Sequence, residues 1–194
     1  MNFLAHIYLS GKNDEIKLGN FIGDYVKGTA YNNYSPLIRK GILLHRKIDS
    51  FTDAHQIVRK HKSLFYSKYH KYAGVIIDII YDHFLARYWH MFSEVDYNEY
   101  IISIYKFLTS NLENMPQEIS KIVPNLIYHN WLNSYKTIKG IENVLIGMSK
   151  GTSLPSESNY AILILRQHYG DIKNEFFTYF PQLIEYVKNE LESD

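Results

Sequence analysis

The sequence contains no cysteine. That excludes a disulfide framework and every thiolate metal site, so any metal must be held by oxygen and imidazole nitrogen. Proline is scarce, with five in 194 residues, and no Pro-, Gly- or Ser-rich tract is long enough to join two domains, so a single domain over 1–194 is expected. An excess of one charge sign is also missing. The 21 Lys and Arg against 20 Asp and Glu leave a formal charge of +1, which gives no global attraction for nucleic acid or an anionic membrane. No apolar run approaches the roughly 20 residues of a bilayer span. The stretch Phe3 to Leu9 is interrupted by His6 and has no basic segment before it, so the cytoplasm is the expected compartment. Phosphate-cradling glycine loops, nucleotide fingerprints and serine nucleophile elbows are absent.

What is present is helical periodicity. Apolar residues recur mostly at three- and four-residue spacing, strand-like alternation is rare, and the prolines fall near segment boundaries. The spacing predicts helices near 2–10, 14–27, 36–62, 68–93, 96–113, 117–135, 138–149 and 157–191, the last bent or broken at Pro181. Ser35-Pro36 and Asn13-Asp14 read as helix starts, and Gly28 as a left-handed close. The fold class is all-α.

Acids and histidines fall on the apolar stripes. Ile38, Ile42, His45 and Asp49 share one face of the third helix, with Asp53 a turn beyond. Val75, Asp78, Asp82, Leu85 and Trp89 trace a similar stripe on the fourth, while Phe21, Asp24 and Gly28, and Phe3, His6 and Leu9, do the same on the first two. One unpaired buried charge costs about 3–5 kcal/mol, so any single Asp here is best read as a salt-bridge partner of a base such as Arg46 or Lys47. For His6, Asp24, His45, Asp49, Asp78 and Asp82 together, one divalent cation is the more economical neutraliser. His83 stands about 100° round the helix from Asp82, at the rim of such a site or facing a neighbour. His55, His61, His70, His90, His129 and His168 read as exposed or satisfied core histidines. Arg39, Lys40, Arg46 and Lys47 recur two turns apart and form a positive stripe, either a solvated face or a dock for an acidic partner beside the cleft.

Several blocks carry a family resemblance: Met1 to His6, Gly19 to Gly28, His45 to Asp53, Asp78 with Tyr81 to Leu85, Trp131-Leu132, Gly147-Met148, His168-Tyr169 and Phe180-Pro181. Together they resemble the acyl carrier protein phosphodiesterase family, also called holo-acyl carrier protein hydrolase. The resemblance implies a substrate, the phosphodiester joining 4'-phosphopantetheine to a serine of acyl carrier protein, and Mn2+ (or Mg2+) as metal. It implies an HD-domain-like helical bundle, although the chain lacks the His-Asp dipeptide of HD phosphohydrolases and has Asp82-His83 in reversed order. In that frame Asp24, His45, Asp49 and Asp78 form the core of the metal site. Asp82, His6 and Asp53 are further ligands or orienters, and Arg46 stabilises phosphate charge. Because carrier proteins are small and acidic, the stripe Arg39, Lys40, Arg46 and Lys47 gains a role in docking. The alternatives are an HD-like phosphohydrolase acting on nucleotides or other small diesters, and a non-catalytic helical binder of acidic carriers. Oligomeric state is not legible.

Overall fold

A computed structural model describes residues 2–193, and among them there is no strand. Twelve α-helices follow one another: α1 (Phe3–Leu9), α2 (Asp14–Ile22), α3 (Pro36–Ala54), α4 (Gln56–Ser63), α5 (Tyr66–Tyr69), α6 (Ala73–Arg87), α7 (Tyr97–Ser110), α8 (Gln117–Tyr128), α9 (Trp131–Ser134), α10 (Ile138–Gly151), α11 (Ser158–Gln167) and α12 (Tyr169–Glu192). The all-α expectation holds. Among the described residues no helix is long and apolar enough to cross a membrane.

Polar caps start the helices where the sequence offers them. The Asn13 side chain accepts from the Ile16 amide and the Ser35 hydroxyl from Ile38, with Pro36 in the first turn. Several boundaries differ from expectation. The third predicted helix divides at His55, whose extended backbone ends α3 and whose ring accepts from the Ile57 amide to start α4. The last predicted helix divides at His168, whereas Pro181 lies inside an uninterrupted α12. The second stops at Ile22 and tightens into a 3-10 turn over Gly23–Tyr25, and Gly28 takes a left-handed φ of 54° just beyond.

The core is organised around α6, whose residues are buried almost all round, against an aromatic layer in which Phe84, Phe176 and Phe180 meet ring on ring. Helices α2 and α3 cross at backbone contact. A Cβ on Gly19 would fall 2.0 Å from the Ile38 carbonyl oxygen, and one on Gly41 2.2 Å from that of Ile16. Any side chain at either position drives the helices apart, and this crossing sets Asn20 and Gly23 against His45.

Candidate metal centre

Four segments converge on one cluster. α1 contributes His6, α2 contributes Asn20, the 3-10 turn after it carries Asp24, and α3 contributes His45 and Asp49. The rings of His6 and His45 stack at 3.9 Å between centroids, 16° from parallel, and both residues are buried, at 3% and 4% exposure. Gly23 makes room for them, since a Cβ there would stand 2.3 Å from the His45 ring.

Asn20 fixes both imidazoles. Its Nδ2 donates to the His6 carbonyl oxygen and the Ser10 hydroxyl, each at 2.9 Å, which leaves Oδ1 as an acceptor. His6 Nδ1 lies 2.8 Å from that oxygen and therefore donates. His45 Nδ1 lies 2.8 Å from the Asn20 backbone carbonyl and must donate as well. When the rings are neutral, Nε2 of each is a lone pair. Those two Nε2 atoms are buried and have no hydrogen-bond partner. They stand 3.3 and 3.2 Å from Asp49 Oδ1 and Oδ2 respectively. Two lone pairs aimed at one carboxylate repel unless a positive charge sits among them.

The titration of the cluster expresses the same demand. Burial pulls the His45 imidazolium down, yet the Asp24 and Asp49 carboxylates outweigh it and raise it to about 9. Burial, reinforced by the His45 charge, lowers His6 to about 4. Against its own burial, the imidazoles of His45 and His6 hold the Asp49 carboxyl well below its ordinary value. Asp24 is also lowered, foremost by His45, whose Nε2 is 3.3 Å from its Oδ1. Its side chain is 68% exposed, so it forms the open edge of the cluster. The His6, His45 and Asp49 donor atoms lie within 4.8 Å of one another, and two imidazole nitrogens with a carboxylate oxygen suit a divalent first-row cation.

The other expected residues divide into neighbours and non-participants. Asp78 shares with Asp49 the lining of a cavity of about 260 Å3, and burial pushes its carboxyl up. Asp82 is no part of the cluster: its oxygens accept from the amides of Leu4 and Ala5 at 2.9 and 3.1 Å. It closes two otherwise orphaned donors at the N-terminus of α1 and so anchors the helix that carries His6. Burial pushes it up to about 7 against those bonds. His83 does not line the rim; its Nδ1 donates to the Tyr135 carbonyl and its Nε2 accepts from the Tyr169 hydroxyl. Asp53 pairs with Lys62 on the cavity wall.

The basic stripe splits, because adjacent residues on a helix point about 100° apart. Lys40 donates to the Leu191 carbonyl and Lys47 pairs with Glu190, both toward the end of α12. This face lies about 200° round α3 from His45 and borders a cavity that shares no residue with the cluster. Lys40 and Lys47 thus face the end of α12 and line neither of the cavities that Asp49 lines. Arg39 donates to the Asn32 carbonyl. Arg46 donates to those of Val26 and Gly28 at 2.8 Å, rests over the Tyr31 ring, and lines a cavity of about 370 Å3 with Asp24, His45 and Asp49. Sequence reasoning missed Asn20. Its signal was a polar amide on the buried face of α2, between Gly19 and Gly23.

Residues 1–183 match the family model described as acyl carrier protein phosphodiesterase. Among similar proteins, those named acyl carrier protein phosphodiesterase from Photorhabdus laumondii subsp. laumondii and Yersinia pestis are 31% and 27% identical over 190 residues. That covers 97% of this chain, and 96% and 98% of theirs. The protein of the same name from Pectobacterium atrosepticum is 27% identical over 98% of this chain and 99% of its own. No solved structure matches. With nearly its whole length matched, the chain belongs to the acyl carrier protein phosphodiesterase family.

Proposed function

We propose that this chain is a cytoplasmic, metal-dependent phosphodiesterase. It hydrolyses the bond between 4'-phosphopantetheine and the serine of acyl carrier protein, with Mn2+ (or Mg2+) held by His6, His45 and Asp49. The observation that carries the reading is the pair of buried Nε2 atoms that make no hydrogen bond and lie 3.3 and 3.2 Å from the two oxygens of one carboxylate. Asp24, paired with His45, supplies a further negative oxygen, and Asp78 lines a cavity that Asp49 also lines. The bound ion supplies Lewis-acid charge for a phosphate oxygen and a more acidic water.

The protein's own groups then divide the remaining work. Asn20 holds both imidazoles with Nε2 toward the ion. Arg46, pinned by the Val26 and Gly28 carbonyls, keeps a guanidinium on the cavity that Asp24 and Asp49 also line, where phosphate charge accumulates. Asp24, exposed and held ionised by His45, orients the attacking water at the open edge in this reading.

The test is direct. Purified protein with Mn2+ and holo-acyl carrier protein should yield apo-carrier protein, read by mass spectrometry as loss of the phosphopantetheine arm. Turnover of nucleotides with the carrier left intact would overturn the assignment.

A further inference from the structure

The cluster opens on two sides, and Asp49 belongs to both. One side is the cavity with Asp24 and Arg46; the other is the cavity with Asp78, Lys62, Tyr66, His70 and Lys71. The sides differ in what surrounds them. Residues 54–77, which make α4, α5 and the start of α6, contain no Asp or Glu and carry five cations, Arg59, Lys60, Lys62, Lys68 and Lys71, in a chain whose net charge is +1. Three of them meet a carboxylate from elsewhere: Lys60 with Glu175, Lys62 with Asp53 and Lys68 with Glu157. Five cations less three anions leave these segments at +2, and of the five Lys62 and Lys71 line the opening itself, beside the carboxylates of Asp49, Asp53 and Asp78.

Two further features mark the same place. Tyr66 is 55% exposed and lines the same cavity as Lys62 and Lys71, and an exposed aromatic beside cations suits a protein-binding anchor. His70, on the cavity wall, has φ 45° and ψ −122°, a backbone conformation that a bulky residue adopts only under constraint. This break between α5 and α6 falls at His70 and Lys71, both of which line the opening.

Resting on the phosphodiesterase reading above, we propose that the α4–α5 face, from Arg59 to Lys71, is the docking surface for the acidic face of the carrier protein. Tyr66 is its apolar anchor, and the substrate serine enters through the Asp49–Asp78 opening. Charge complementarity selects this partner. The basic face of α3 does not compete, because Lys40 and Lys47 border a cavity away from the cluster.

The experiment uses the full chain with Mn2+ and holo-acyl carrier protein. Reversing Lys68 and Lys71 to Glu should raise KM for the carrier about tenfold and weaken its salt dependence, with kcat and Mn2+ affinity unchanged. Tyr66→Ala should raise KM in the same direction, and reversing Lys40 and Lys47 should leave it unchanged. If the wild type releases the arm but KM is indifferent to Lys68, Lys71 and Tyr66, or responds equally to Lys40 and Lys47, the docking surface is wrong and the phosphodiesterase reading stands. A fall in kcat and Mn2+ affinity as large as the rise in KM also overturns docking. If the wild type releases no arm, both fail.

Discussion

Four buried histidines divide into two pairs, one with both ring nitrogens hydrogen-bonded and one with a nitrogen left over. His61 and His83, at 1% and 0% exposure, have both ring nitrogens satisfied. His61 lies 2.7 Å from the Tyr81 hydroxyl and 2.7 Å from Glu175, and His83 bridges Tyr135 and Tyr169. His6 and His45 are as buried, yet each has only Nδ1 satisfied. Burial and a nearby carboxylate do not distinguish the pairs, since His61 has Glu175 as His45 has Asp49. The unfilled nitrogen does. An unsatisfied buried polar atom costs about 1–3 kcal/mol, so two of them side by side mark a place the fold holds ready for something else.

The sharpest way to break this contrast is to neutralise one carboxylate in each pair. Asp49→Asn should lower metal-dependent turnover on the order of 10³-fold, because several kcal/mol of transition-state stabilisation depends on the ion it holds. It should also abolish the rise in melting temperature that Mn2+ gives the wild type. Glu175→Gln should leave turnover within about twofold and cost about 1–2 kcal/mol of stability through the His61 bond. Persistent turnover and a persistent Mn2+ shift in Asp49→Asn would dissolve the distinction.

A smaller effect sharpens the architectural side. Burial, aided by the charge of Arg87, lowers His83 from 6.5 to about 4 against the pull of the Tyr135 carbonyl. The unfolded chain protonates this histidine near 6.5 while the folded chain holds it neutral. The stabilisation is therefore complete above pH 6.5 and is lost as pH falls toward 4, a change of about 3 kcal/mol. His83→Gln cannot titrate. Its deficit relative to wild type, followed by denaturant unfolding, should be largest at neutral pH and shrink by that amount on acidification. A deficit independent of pH would show that His83 is not held neutral.

Spacing reveals which face of a helix a residue occupies, not what waits across from it. That is why His6, His45 and Asp49 were legible as acid and imidazole on apolar stripes, and why Asp82 was grouped with them: its partners, the Leu4 and Ala5 amides, lie 78 and 77 residues away. Periodicity also made one stripe of Arg39, Lys40, Arg46 and Lys47, although neighbours diverge by a quarter turn and reach different elements. The divisions at His55 and His168 carry no proline or glycine, whereas Pro181, which does, is accommodated within α12. Asn20 escaped because an uncharged amide adds nothing to a count of acids and bases, though it bonds to both histidines.

Asn20 also offers the finest cut, because it holds the two rings by different atoms. His6 depends on the side-chain oxygen, but His45 depends on the backbone carbonyl, which survives substitution. Asn20→Ala should therefore weaken Mn2+ binding by about 10–100-fold, the usual loss when a residue orienting a ligand is removed, and the damage should pass through His6 alone. Because burial keeps His6 neutral down to about 4, its tautomer is readable at neutral pH by long-range proton–nitrogen NMR of the metal-free protein. In the wild type the proton should sit on Nδ1; in Asn20→Ala it should divide between Nδ1 and Nε2, while the His45 Nδ1 proton remains. Unchanged Mn2+ affinity alongside a scrambled His6 would mean that His45 and Asp49 hold the ion without it.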